Sequence, residues 1–100
     1  MIDNILQAKN ILQKVKDNIE DYKVEEAELY LKILKSKFQI HPNIFNYLSA
    51  KISILKYDNK KAINFLNQVG EGIFYNESKY LLSKLHLIDK NFDYGDNLFI

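Results

Sequence analysis

Apolar residues recur at intervals of three and four along most of the chain, the spacing that gathers them on one face of an α-helix. The pattern breaks at Pro42, at Asp58-Asn59 and between Gly70 and Gly72, which are residue types that begin or end helices or form turns. The sequence therefore predicts an all-α fold. The expected helices lie at about 3–19, 24–38, 43–56, 60–69 and 77–89, with a tail at 92–100.

Several of these helices are apolar on two sides. In the second, Tyr30 and Ile33 lie beside the main apolar stripe, and in the third Tyr47 and Ile54 do the same. A helix with two apolar sides must be covered by neighbours on both sides, as it is in a stacked array of helix pairs. We therefore expect residues 1–100 to form one helical domain.

The chain also repeats itself with the period of a helix pair. Segment 47–55 (YLSAKISIL) matches segment 80–88 (YLLSKLHLI) at an offset of 33 positions. The alternate helices match at an offset of 35 positions, with Ala27, Tyr30, Leu31 and Leu34 corresponding to Ala62, Phe65, Leu66 and Val69.

Through these residues the chain resembles the tetratricopeptide repeats over about residues 5–90. Segments 22–34 and 58–66 look like the family's second helix, with its small residue at Ala27 and Ala62. The family's first helix is similar to the run of bulky and small residues at Phe45, Leu48, Ser49 and Ile52. The resemblance implies a short right-handed helix-pair solenoid of about five helices plus a C-terminal tail or short sixth helix.

The same resemblance implies where a partner binds. In the family, the first helix of each pair lines a concave groove that holds a peptide, so the third and fifth helices are expected to line it here. The expected groove residues are mainly small or polar, namely Asn43, Asn46, Ala50, Ser53, Asn76, Lys79, Ser83 and His86. The alternative is that these positions are ordinary solvated helix surface.

A second candidate surface lies at the end of the array, where the fifth helix lacks a partner helix. Its apolar residues are Tyr80, Leu81, Leu85, Ile88, Leu98 and Phe99. Repeat arrays need a capping element at each end, so we expect either that the tail caps this face or that another chain covers it.

Charge and composition narrow the classes of function. The chain has a formal net charge of +1, and all 14 of its basic residues other than histidine are lysines. Without arginine or a basic cluster we expect no nucleic-acid binding. No apolar run reaches the length of a membrane span and no signal-peptide pattern opens the chain, so we expect no membrane insertion and a cytoplasmic location.

Catalytic and metal-binding patterns are missing from the sequence. The chain has no cysteine, and neither His41 nor His86 has a second histidine or a well-placed carboxylate at ligand spacing. Gly70-Glu71-Gly72 lacks the spacing of a dinucleotide-binding loop. We therefore predict a protein that is not an enzyme and holds no metal or cofactor.

These patterns lead to a protein-binding function. We expect a small chaperone or adaptor that shields an amphipathic helix or extended peptide of another protein. In length and helix layout the chain is similar to the small cytoplasmic chaperones of type III secretion needle subunits. The alternative is a structural or assembly subunit that works as a homo-oligomer through the fifth helix and tail.

Overall fold

Five helices make up most of the chain in the computed structural model, which describes residues 2–99 and, for side chains, residues 4–88. They are α1 (Ile2–Glu20), α2 (Val24–Lys37), α3 (Pro42–Leu55), α4 (Asn59–Asn67) and α5 (Tyr75–Phe99). Residues 2–99 contain no β-strand. The prediction of an all-α, helical-repeat-like fold is confirmed, and the first four helices lie within two residues of their expected bounds.

The same kind of turn, centred on a tyrosine, joins α1 to α2 and α3 to α4. Tyr22 follows α1 with φ 60°, and Tyr57 follows α3 with φ 61°. In each turn the next N–H donates to the carbonyl five positions earlier, from Lys23 at 2.8 Å and from Asp58 at 2.9 Å. This is the Schellman arrangement, in which a residue in the left-handed region turns the chain at a helix end. Tyr22 and Tyr57 lie 35 positions apart, so the turn repeats in register with the helices.

The core consists of two clusters that meet at α3. The first joins α1, α2 and α3 around Val15, Leu34 and Leu48. The second joins α3, α4 and α5, where Ala50 and Ala62 pack with Leu66 and Leu85. Because the alanines have short side chains, the helix backbones can approach each other closely. α3 therefore contributes to both clusters, as its two apolar sides predict.

The loop between α4 and α5 is fastened to the start of α3. Asn43 is buried there and hydrogen-bonds to loop residues through both ends of its amide. His41 caps α3, because its Nδ1 accepts from the N–H of Asn43 at 3.0 Å. The Phe74 ring stacks on the Tyr47 ring at a centroid distance of 4.4 Å. These contacts fix where α5 begins.

The C-terminal end differs from the prediction. α5 begins at Tyr75, so Asn76 lies inside its first turn and is not the residue that precedes it. The helix continues to Phe99 across Gly95, so the separate tail or sixth helix expected at 92–100 is wrong for residues 92–99. A single glycine costs a helix only about 1 kcal/mol relative to alanine, which a 25-residue helix can absorb.

Candidate functional site

A groove lies between α2 and α4, with α3 as its floor. We call it the α2–α4 groove, and its volume is about 720 Å³. Fifteen residues line it: Glu25, Glu28, Leu29, Leu31, Lys32, Lys35, Ser36, Phe45, Ser49, Ile52, Ser53, Lys56, Asp58, Lys61 and Phe65.

Two serines give the groove its depth. Ser49 and Ser53 lie one turn apart on α3, where short side chains leave space between the two walls. The Ser53 hydroxyl donates to the Ser49 carbonyl at 2.9 Å, so it is satisfied within its own helix. Phe45 and Phe65 form one end of the floor, with their rings edge to face at a centroid distance of 6.2 Å. The interior of the groove is thus mainly apolar.

The wall contributed by α2 includes an exposed apolar residue. Leu29 is 56% exposed although leucine is usually buried, and it borders the groove. Isolated exposed leucines are common on protein surfaces. This one lines the same groove as the apolar floor residues, so it enlarges the apolar surface that a bound chain would cover.

Charged side chains surround the apolar interior. The lining includes four lysines and three acidic residues. Glu28 of α2 and Lys56, which follows α3, form an ion pair at 3.1 Å. Because both side chains are about half exposed, the pair contributes little to stability. The Asp58 carboxylate caps α4 by accepting from the N–H of Lys61 at 3.1 Å. The Lys35 ammonium lies 3.8 Å from the centroid of the Phe45 ring, a cation–π contact.

A smaller concavity of about 530 Å³ continues from the Lys35 end of the groove. It shares Lys35, Phe45 and Phe65 with the larger space and extends along α3 to Asn46 and Pro42. The two concavities together follow α3 over most of its length.

The eight predicted groove residues lie in different environments: three are buried, one lines the smaller concavity and four are exposed on α5. Asn43, Ala50 and Ser53 are buried, which is contrary to their expected role as open groove surface. Asn43 is occupied by the α4–α5 loop, Ala50 by the second core cluster, and Ser53 lies on the floor of the α2–α4 groove. For Asn43 and Ala50 the reason is that α4, α5 and their loop cover the side of α3 that was expected to be open.

The remaining predicted groove residues do not form one surface. Asn46 lines the smaller concavity, whereas Asn76, Lys79, Ser83 and His86 are exposed on α5 and line neither space. A side-chain hydrogen bond with Tyr75 is the main cause that raises the pKa of Lys79 above its ordinary value. The Ser83 hydroxyl donates to the Lys79 carbonyl at 3.1 Å. Lys79 and Ser83 thus bond within their own helix.

The predicted C-terminal face is partly covered by the chain itself. Leu85 is buried against α3 and α4, so it is core and not an open interface. Leu81 is half-buried against the same cluster, while Tyr80 and Ile88 are exposed. The predictions for the side chains of Leu98 and Phe99 fall outside the described side chains.

Two other kinds of feature are missing from the part of the chain that the structure describes. Within the described residues, no group of three or more histidine, aspartate and glutamate side chains is placed to hold a metal ion. Across that same part of the chain, no helix combines the length and apolar character needed to cross a membrane.

The α2–α4 groove was not predicted from the sequence, because the family resemblance places binding on the first helix of each pair. Two signals were present. Ser49 and Ser53 place small residues one turn apart between bulky neighbours, and Leu29 lies away from the main stripe of α2. Neither signal identifies a groove until the packing of α2, α3 and α4 is known.

Comparison with known proteins yields no relative. No protein-family model matches the chain, and neither a curated protein nor a solved structure matches it.

Proposed function

We propose that this chain is a tetratricopeptide-like protein-binding module, a small chaperone or adaptor, that holds an amphipathic segment of a partner protein in the α2–α4 groove. The observation that supports the proposal most is the groove itself, an apolar space of about 720 Å³ bordered by the exposed Leu29 and ringed by charged side chains. Grooves of this kind bind amphipathic helices through their apolar face.

The dimensions of the groove suit a short helix. The α4 wall has nine residues and therefore extends about 14 Å at 1.5 Å per residue. A bound helix along that wall would present about three turns, with anchors at spacings of three and four. The apolar floor takes the anchors, and the lysines and glutamates of the rim meet the polar side of the helix.

The proposal involves no catalytic step. Our candidate partner is an amphipathic secretion subunit. This choice is supported by the resemblance in length and helix layout to the chaperones of type III secretion needle subunits. A structural role as a homo-oligomer is the second candidate. It is favoured by three exposed apolar side chains on α5, those of Tyr80, Leu87 and Ile88.

The test uses a matched pair of substitutions. Leu29→Glu places a charge on the groove wall, and Leu6→Glu places the same charge on α1 away from the groove. Both leucines are 56% exposed, so both variants should fold with similar stability. The probes are fluorescein-labelled helical peptides of 18 residues with one leucine face and a polar face of Gln, Glu or Lys.

We expect the native chain and Leu6→Glu to bind at least one of these peptides with equal affinity in fluorescence anisotropy. Leu29→Glu should weaken that binding about tenfold or more, because it places a carboxylate against the apolar face of the peptide. Equal binding by the two variants, or no binding of any peptide by the native chain, would overturn the proposal.

A further inference from the structure

The lysines of the α2–α4 groove outnumber its available acidic groups. Glu28 pairs with Lys56, and the Asp58 carboxylate caps α4. Among the lining residues this leaves Lys32, Lys35 and Lys61 against Glu25 alone. A bound helix with an acidic side is therefore favoured over a basic one.

The far end of α5 has a sequence of that kind. Between positions 89 and 99 it contains Asp89, Asp93 and Asp96, at spacings of four and three, and one lysine. Ile88, Phe92 and Phe99 repeat at spacings of four and seven. In a helix such spacings give one acidic and one apolar side, and segment 89–99 has a net charge of −2 from its three aspartates and Lys90.

Among the described side chains, the packing of α5 against the core ends at Leu85. Leu85 is the last residue of α5 in a core cluster of described side chains, and the next apolar residues, Leu87 and Ile88, are 59% and 51% exposed. The helix backbone continues 14 positions past Leu85, to Phe99. A continuous helix cannot turn back into the groove of its own chain, so the groove it can reach is that of another copy.

Length supports the same pairing. Segment 89–99 comprises 11 of the helical positions and extends about 16 Å at 1.5 Å per residue. The α4 wall of the groove extends about 14 Å by the same measure.

We propose that the α2–α4 groove of one copy binds residues 89–99 of α5 from a second copy. The apolar positions would face the α3 floor, and the aspartates would meet Lys32, Lys35 and Lys61. The contact joins two different surfaces, so it is head-to-tail and can close reciprocally between two copies or continue along a chain of copies. It uses the groove of the proposed function but needs no external partner.

Charge reversal on each side of the contact tests this. The groove variant is Lys35→Glu with Lys61→Glu, and the tail variant is Asp93→Lys with Asp96→Lys. The control for the groove variant is Lys37→Glu with Lys60→Glu, which makes the same charge change on the same two helices at exposed positions outside the groove. Far-UV circular dichroism checks that every variant remains helical.

Sedimentation velocity at low salt should show the native chain and the control self-associating. The groove and tail variants alone should each associate about tenfold more weakly, and association of the native chain should weaken in 0.5 M NaCl. Mixing the two variants should restore a complex, because the acidic groove of one then meets the basic tail of the other.

Two results would overturn the inference: a native chain that stays monomeric at 100 µM, or a mixture of variants that associates no better than either alone. The proposed function is judged separately, by the Leu29→Glu and Leu6→Glu comparison with external peptides. If the groove binds those peptides while the native chain remains monomeric, the proposed function stands and the contact with a second copy is ruled out.

Discussion

Asn43 and Gly70 exchange two hydrogen bonds across 27 positions of sequence. The Gly70 N–H donates to Asn43 Oδ1 at 3.0 Å, and Asn43 Nδ2 donates to the Gly70 carbonyl at 2.8 Å. The same Nδ2 donates to the Ile73 carbonyl at 3.1 Å. A residue expected to contact a partner thus holds the α4–α5 loop against the start of α3.

Replacing Asn43 should therefore destabilise the fold. Asn43→Ala removes three hydrogen bonds and leaves loop amide groups unsatisfied in a partly buried site, so we expect the free energy of unfolding to fall by about 2–3 kcal/mol. Urea denaturation measures this. Asn46→Ala, three positions along the same helix in the smaller concavity, is the control and should change stability by under about 0.5 kcal/mol. Equal losses in the two variants would show that Asn43 has no special role.

Glycine in place of the tyrosine in these turns should make the protein more stable. Tyr57 has φ 61° and is 94% exposed, so it occupies a left-handed conformation with little packing in return. Because a non-glycine residue pays about 1–2 kcal/mol there, Tyr57→Gly should raise the free energy of unfolding by about 1 kcal/mol.

The same substitution at an exposed tyrosine inside a helix is the control, and it should change stability in the opposite direction. Tyr80→Gly, in α5, should lower the free energy of unfolding by about 1 kcal/mol, because glycine loses more backbone freedom in a helix. If both substitutions destabilised the protein equally, the turn geometry at Tyr57 would not be the strained one described.

Alkaline pH should weaken the fold through Tyr47. Burial, and to a smaller extent the charge of Glu77, raises the pKa of the Tyr47 phenol above its ordinary value of 10.0. Its contribution to stability is therefore fully present below pH 10 and is lost as the pH rises toward the folded-state pKa, because the unfolded chain releases the proton first.

Thermal unfolding between pH 8 and pH 11 measures this loss. Tyr47→Phe keeps a ring against Phe74 but cannot ionise, so its Tm should fall less over that range than the Tm of the native chain. The Tm of Tyr57→Phe, a substitution at an exposed position, should fall as much as the Tm of the native chain. A parallel fall in all three proteins would contradict the assignment.

The fold was predictable because its signals are local and repeated. The three-and-four spacing located the helices, and the offsets of 33 and 35 paired Ala27 with Ala62 and Tyr47 with Tyr80. The prediction that α5 ends before a separate tail was wrong, because α5 continues through Gly95. A glycine weakens a helix but does not determine whether the neighbouring turns continue it.

The site was less predictable because burial depends on which helices cover each side of α3. Asn43 and Ala50 have the small or polar character of groove residues, but α4, α5 and their loop cover them. Leu29, Lys35 and Lys61 come from two helices separated in sequence, and the packing of both against α3 places them around one groove. No local pattern contains that information.

We propose that a partner binds between α2 and α4 and not along the exposed side of α5. Backbone amide shifts of the ¹⁵N-labelled chain, measured during titration with an amphipathic peptide that it binds, test this most directly. We expect the largest shifts at groove residues, including Leu29, Ser49 and Lys61. Shifts confined to α5 residues such as Asn76 and Ser83 would contradict it and favour the surface expected from the family resemblance.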